Sequence, residues 1–369
     1  MSGIVQAIDK AHRDLKPGSI AIGKGELLDA SNNRSLPAYM RNPQAERERW
    51  GRPIDPEMTV LRFKQGSADV GVISWFATHG VSMSPTNHLL SPDNKGYAAW
   101  RWEHELKGVR YNADSDFVAA FAQSNAGDMT PNLNLDGTGP TANRIRQHPH
   151  HRRAPAAKAL AIYNGALEPI AGPLDYRQRF IDFSRVSVAP QFADGAARST
   201  CPAALGTAFA VGTEDGRGLD GFNEGDLAGN AFFQALGGII TLPPAMGARL
   251  PWRQAGAAGY RHPATLPLVA RSAAHLGHAH RPAGDCRRAR RIYHHGGTAR
   301  ARYRARRAWR QRETHRLHRY ANAYSGYVTT PEEYEAQHYE GASTHFGKWT
   351  LGAYQQSFHE LASAAARER

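Results

Sequence analysis

Cysteine is almost missing from this sequence, with Cys201 and Cys286 the only two in 369 residues. A single pair cannot build a disulfide framework, and its spacing matches no metal-binding pattern, so a disulfide-rich scaffold is excluded. No run of about eighteen apolar residues occurs, and no transmembrane helix is expected. Near the start, Ile4, Val5, Ile8, Ala11 and Leu15 alternate with charged neighbours. That pattern is amphipathic and lacks the unbroken apolar stretch of a secretory leader, which leaves the compartment open. Collagen-like repeats are absent as well. A globular protein remains, with length enough for one large core or two ordinary domains.

Acid is scarce in one place only. The chain has 46 Lys and Arg against 33 Asp and Glu, a formal charge of +13. Between 246 and 319 stand eighteen arginines and eight histidines, with no lysine and only two acids, Asp285 and Glu313. The positive excess therefore belongs to that stretch, and the rest of the chain is mildly acidic. Three readings fit it: an arginine-rich arm binding nucleic acid non-specifically, a solvated insert, or out-of-frame translation of a GC-rich gene. It holds neither helix nor strand period for long, and disorder is expected.

The other parts alternate between two periodicities. Residues 19–28, 58–63, 69–78 and 117–123 read as strands, and 174–188 is strand-like in parts. Ser91-Pro92-Asp93 reads as a helix start, with Ser91 as the N-cap, a proline in the first turn and an early acid. Residues 156–167, 331–339 and 354–367 read as helices. The fold class is α/β.

Three stretches carry a resemblance. The first is Trp75-Phe76-Ala77-Thr78-His79 with Ser91-Pro92-Asp93-Asn94-Lys95-Gly96-Tyr97. The second is 117–132 (FVAAFAQSNAGDMTPN) and the third 320–341 (YANAYSGYVTTPEEYEAQHYEG). Asn33-Arg34-Ser35-Leu36 and Thr213-Glu214-Asp215-Gly216 add to them. In this order and at these spacings the chain resembles the catalytic domain of neutral ceramidases, zinc amidases that cut ceramide to sphingosine and fatty acid. The similarity runs from about residue 16 to 238 and resumes at 320.

The resemblance implies a mixed-sheet zinc amidase domain acting on ceramide, with a membrane surface as a further partner and no specific nucleic acid. Intact relatives are secreted or membrane-surface enzymes. It implies His79 and Tyr327 as zinc ligands, Tyr339 as the group that hydrogen-bonds the developing oxyanion, and Arg34 as an active-site arginine. Such chemistry needs zinc because amide hydrolysis at neutral pH requires both an activated water and a polarised carbonyl. Thr130 stands where the family has serine. Its hydroxyl would serve as nucleophile or as a substrate hydrogen-bonding group, and the extra methyl disfavours direct attack. Asp128 and Asn132 are expected to shape their loop.

Two further ligands that the resemblance implies are unmatched. No segment like His-X-His-Ser-Gly-Pro-Gly occurs in 1–51, and no Pro-Gly-Glu turn occurs between 238 and 320. One allowed back-translation of 285–300, shifted by a nucleotide, restores Val-Pro-Gly-Glu-Phe. The same operation on 144–155 restores a second family-like stretch. Both are therefore expected to be out of frame, which divides the domain into 1–245, an out-of-frame 246–319, and 320–369. The family's C-terminal immunoglobulin-like domain is also expected to be absent, and impaired activity follows. The alternatives are a non-catalytic ceramide- or membrane-binding remnant and a basic nucleic-acid-binding protein acting through 246–319.

Overall fold

Strands β1 (Gly18–Glu26), β3 (Glu57–Gln65) and β4 (Ala68–Phe76) are nine residues each. They form because β-branched and aromatic residues recur in these runs between turn residues. Gly66, with φ 57°, supplies the left-handed conformation that the two-residue β3–β4 hairpin requires. Residues 2–84, 87–110, 115–138, 144–172, 174–218, 224–225, 265–273 and 324–367 of this computed structural model are described.

The central sheet has the order β5-β4-β3-β1-β7, where β5 is Val118–Gln123 and β7 is Glu168–Ile170. β5 runs parallel to β4, and the other neighbours are antiparallel. The mixed α/β sheet read from the sequence is thus present. A parallel pair needs a crossover. Here it is made by α4 (Asp93–Trp100) and a π-helical turn, Arg101–Leu106. One sheet face packs Met58, Val60, Val72 and Phe76 against Trp102 and against Ala159, Ile162 and Tyr163 of α5 (Arg144–Tyr163). A Cβ on Gly23 would stand 2.7 Å from Ile162, so the absent side chain is what lets α5 approach β1.

A second cluster joins Phe183, Val188 and Phe192 to Phe346 and to Ala353 and Leu361 of the C-terminal helix, Thr350–Arg367. Small ladders complete the frame: β2 (Asn32–Asn33) with β6 (Met129–Thr130), β9 (Ser187–Val188) with β10 (Arg198–Ser199), and β11 (Gly212–Thr213) with β12 (Gly216–Arg217). The amphipathic start is α1 (Ser2–Arg13), with no buried residue. Two short helices follow β2, α2 (Leu36–Met40) and α3 (Gln44–Trp50).

Three sequence expectations change. Ser91 is not the cap of α4: the helix starts at Asp93 behind Pro92, and the Asp93 carboxylate accepts from the Ser82 and Met83 amides while its φ is 53°. The single helix over 331–339 divides into α6 (Pro331–Ala336) and α7 (Tyr339–Ala342). The break is Gln337, at φ 49°, whose side-chain amide donates to the Tyr334 carbonyl. Within the arginine-rich stretch expected to be disordered, β13 (Thr265–Ala273) pairs along its whole length with β8 (Leu174–Asp182). The period-two pattern of Leu266, Leu268 and Ala270 carries that strand, and the composition of its surroundings hid it. The rest of the stretch, Cys286 included, lies outside the described residues, as do 320–323. The 144–155 stretch forms the first part of α5.

Candidate active site

His79 follows the C-terminal end of β4, where parallel β4 and β5 end side by side. Its backbone amide and its Nδ1 each lie 2.9 Å from the Met129 carbonyl. That carbonyl takes the Nδ1 proton, which makes Nε2 the accepting nitrogen of the ring. Three consecutive residues at the start of α4 tie the loop down. Asp93 accepts from the Ser82 and Met83 amides. The Asn94 side chain donates to the His79 carbonyl at 2.7 Å and to Ser82 Oγ at 3.0 Å. Lys95 Nζ donates to the Phe76 carbonyl at 2.9 Å and the Ala122 carbonyl at 3.2 Å, joining the two strand ends. Burial lowers the Lys95 pKa to about 7.

The β2–β6 ladder sets Asn32 opposite Thr130 and thereby places Arg34 beside the same loop. Arg34 is buried and holds four partners. Its Nε donates to Glu340 Oε1 at 3.0 Å, and Nη2 donates to Tyr327 Oη at 3.0 Å and to the Gly127 carbonyl at 3.3 Å. Nη1 lies 3.9 Å from Asp215 Oδ1. Burial opposes its charge, yet Glu340 with Tyr327 and Asp215 holds the guanidinium protonated. Glu340 in turn accepts from Ser35 Oγ, and burial pushes its pKa up against the pull of Arg34 and Ser35.

Tyr327 is fixed by its amide, which donates to the Ser343 carbonyl at 3.0 Å. Tyr339 opens α7, its ring edge-on to Tyr327 at 5.5 Å, stacked on Phe209 at 5.5 Å and 5.6 Å from the Arg34 guanidinium carbon. Burial raises the pKa of both phenols. Thr130 is completely buried (0% exposed). Its hydroxyl donates to Asp215 Oδ2 and accepts from the Asn132 amide at 3.1 Å. Asp215 also accepts from Thr213 Oγ1 at 2.6 Å and the Asn132 side chain at 3.3 Å. Burial would raise the Asp215 pKa, but Thr130, Thr213 and Arg34 bring it below the usual carboxylate value.

Residues 34, 79, 130, 327 and 339, singled out in the sequence, therefore converge on one place. Glu340, Lys95 and Asp215 stood within the quoted motifs without a role assigned to them. The motifs do not show what these residues touch, since Arg34 and Glu340 are 306 positions apart.

Tyr327 Oη lies 3.4 Å from His79 Nε2. That is long for a hydrogen bond and close to the edge of a tetrahedral zinc site, about 3.3 Å for bonds near 2.0–2.1 Å. The pair fits two neighbouring corners of such a site. No cluster of three or more His, Cys, Asp or Glu suited to a metal occurs among the described residues, so the pair does not complete one.

A cleft continuous with solvent opens beside Tyr327. Ser35, Tyr39, Trp50, Ile54, Gly127 and Glu340 are among the residues that line it.

Residues 1–249 and 289–356 match the family described as neutral/alkaline non-lysosomal ceramidase, N-terminal. The neutral ceramidase of Pseudomonas aeruginosa is 41% identical over 386 residues, covering 100% of this chain and 54% of that protein. That of Mycobacterium tuberculosis is 37% identical over 393 residues, covering 99% of this chain and 57% of that one. A solved ceramidase complexed with C2 superposes with a TM-score of 0.76 at 39% identity, covering 100% of this chain and 56% of that one. The crystal structure of the Pseudomonas aeruginosa neutral ceramidase gives 0.71 at 37% identity, covering 100% and 55%. The chain thus spans about half the length of these relatives. With site residues gathered from both ends of the sequence and similarity along its whole length, the chain belongs to the neutral/alkaline non-lysosomal ceramidase family.

Proposed function

We propose that this chain carries part of a zinc-dependent site for hydrolysing the N-acyl amide of ceramide to sphingosine and fatty acid, and that its activity is strongly impaired. The observation that carries the reading is the convergence of His79, Tyr327, Arg34 and Tyr339 beside one open cleft. His79 Nε2 and Tyr327 Oη would hold the metal. Bound there, zinc would supply Lewis-acid polarisation of the carbonyl and a nucleophile at neutral pH. Arg34 keeps Tyr327 Oη in place, and Tyr339, its phenol protonated at neutral pH, is suited to donate to a developing oxyanion. The buried Thr130 hydroxyl spends its proton on Asp215, which favours a supporting role over attack.

Among the described residues only His79 and Tyr327 come together as donors, whereas zinc sites of this kind use three or four protein ligands and affinity falls steeply below that, which supports the reading of impairment. We attribute the lack of a Pro-Gly-Glu turn between 238 and 320 to a reading-frame change across 246–319, and read 144–155 as a second out-of-frame stretch. Ceramide resides in bilayers, so a membrane surface is the medium in which the substrate would be met. No described helix is long and apolar enough to cross one.

The experiment is zinc affinity by competition with a chelator, together with ceramide turnover by the purified chain at saturating zinc. Affinity at least a hundredfold weaker than that of a full-length relative, with near-background turnover, is expected. Turnover equal to the relative's would overturn the impairment. Ceramide binding that persists under chelation with no product would favour a non-catalytic lipid-binding remnant, and neither binding nor turnover would end the ceramide reading.

A further inference from the structure

Tyr339 is the first residue of α7, and this four-residue helix receives no side-chain cap from its own N-cap residue, His338. Gln337, just before, has left-handed backbone. The first amides of a helix have no partner within it and take an acceptor from elsewhere. Here it comes from 115 positions earlier in the chain. Glu224 Oε1 accepts from the Tyr339 amide at 3.3 Å. Its Oε2 lies 3.1 Å from His338 Nδ1, and both of these side chains are largely buried. The next residue continues the clasp, because the Gly225 amide donates to the Gln337 carbonyl at 3.1 Å. Two adjacent residues thus hold three consecutive ones.

The consequence reaches the candidate active site through the backbone. The direction of a side chain is set at its Cα, so what fixes the Tyr339 main chain also fixes where its phenol points. That ring stands 5.5 Å from Tyr327 and 5.6 Å from the Arg34 guanidinium carbon. Glu340, the next residue, is the ion-pair partner of Arg34. Stabilising an oxyanion depends on donor placement, and an error of about 1 Å can cost about a hundredfold in rate. Glu224 touches none of the reacting groups, and it lies outside every motif read from the sequence.

We infer that Glu224 is a positioning residue for the oxyanion donor: it fixes the Tyr339 amide and the neighbouring His338, and through them the place of the Tyr339 phenol beside Tyr327 and Arg34. The inference rests on the ceramide reading for the role of Tyr339 and adds the residue that holds it.

The test uses the full chain labelled with 3-fluorotyrosine and read by fluorine NMR, with the Tyr339 line assigned by its loss in Tyr339→Phe. Glu224→Ala should shift or broaden that line and leave those of Tyr163 and Tyr354 in place. Glu224→Gln keeps an oxygen acceptor for the Tyr339 amide and should return the line close to its original position. A merely structural contribution would lower the urea midpoint and leave the Tyr339 line where it is. An unmoved line in folded Glu224→Ala, or no rescue by Glu224→Gln, overturns the inference. Should Glu224→Ala fail to fold, hydrogen exchange in the unaltered chain decides: the Tyr339 amide should exchange slowly, and exchange at the rate of an open amide overturns the inference. These readouts need neither zinc nor turnover, so their failure leaves the ceramide reading intact. Loss of the ceramide reading in the preceding experiment would remove the oxyanion role and leave the Tyr339 line shifts as they are.

Discussion

Arg34 shows what one side chain does for this site. A buried guanidinium needs compensation, and Glu340 and Asp215 provide it from opposite ends of the second half of the chain. Removing one partner leaves an uncompensated buried charge, so Glu340→Ala should cost about 3–5 kcal/mol of stability in urea unfolding. Adding Arg34→Met to that variant should recover part of the loss, because the stranded charge is then gone. Lys95 offers a pH test. Its folded-state pKa of about 7 lies below the ordinary lysine value of 10.5, so above pH 7 the unfolded chain binds more protons than the folded one. Stability should therefore rise between about pH 7 and 10, and Lys95→Met should flatten that slope in unfolding measured across the range. Lys95 and Glu340 lie in the motifs read from the sequence, which assign them no partners. Their burial is a property of the folded chain alone.

At the scale of elements, legibility followed periodicity. β4 could be read from DVGVISWF because a strand buried in the centre of a sheet is continuously apolar, and β3, β1 and β5 could be read within a residue or two. The break between α6 and α7 could not, because it depends on the left-handed backbone at Gln337. The start of α6, by contrast, was written in Thr330-Pro331-Glu332-Glu333. Thr330 Oγ1 accepts from the Glu333 amide at 3.2 Å, and the Glu333 carboxylate accepts from the Thr330 amide at 3.3 Å. Thr330 also donates to Asn42 Oδ1 at 2.8 Å, which ties α6 to the residues after α2. Thr330→Ala should therefore destabilise by about 1–2 kcal/mol, at the upper end for a cap, as measured by the urea midpoint at constant m-value.

For the whole molecule the decisive quantity is how many metal donors the chain can bring together. Two converge among the described residues, at His79 and Tyr327. If a frame change removed a third, the gene should encode a Pro-Gly-Glu turn one nucleotide away from the codons of 285–300. Sequencing the DNA in all three frames checks this, and an uninterrupted arginine-rich frame with no such turn beside it would refute the account. A chain with the frame restored should bind zinc more tightly than the present one, by a margin that chelator competition can read.

The sequence by itself determined the family, the mixed α/β class, the main strands and the identity of the residues that gather around Arg34. These are carried by local motifs and by the periods of helix and strand, which need no knowledge of distant partners. Only the tertiary structure decided that Arg34 lies between Glu340 and Asp215 and that Thr130 is buried with its proton committed. Each depends on residues that no local periodicity relates, brought within hydrogen-bonding distance by the packing of the sheet, its crossover helix and the C-terminal segment.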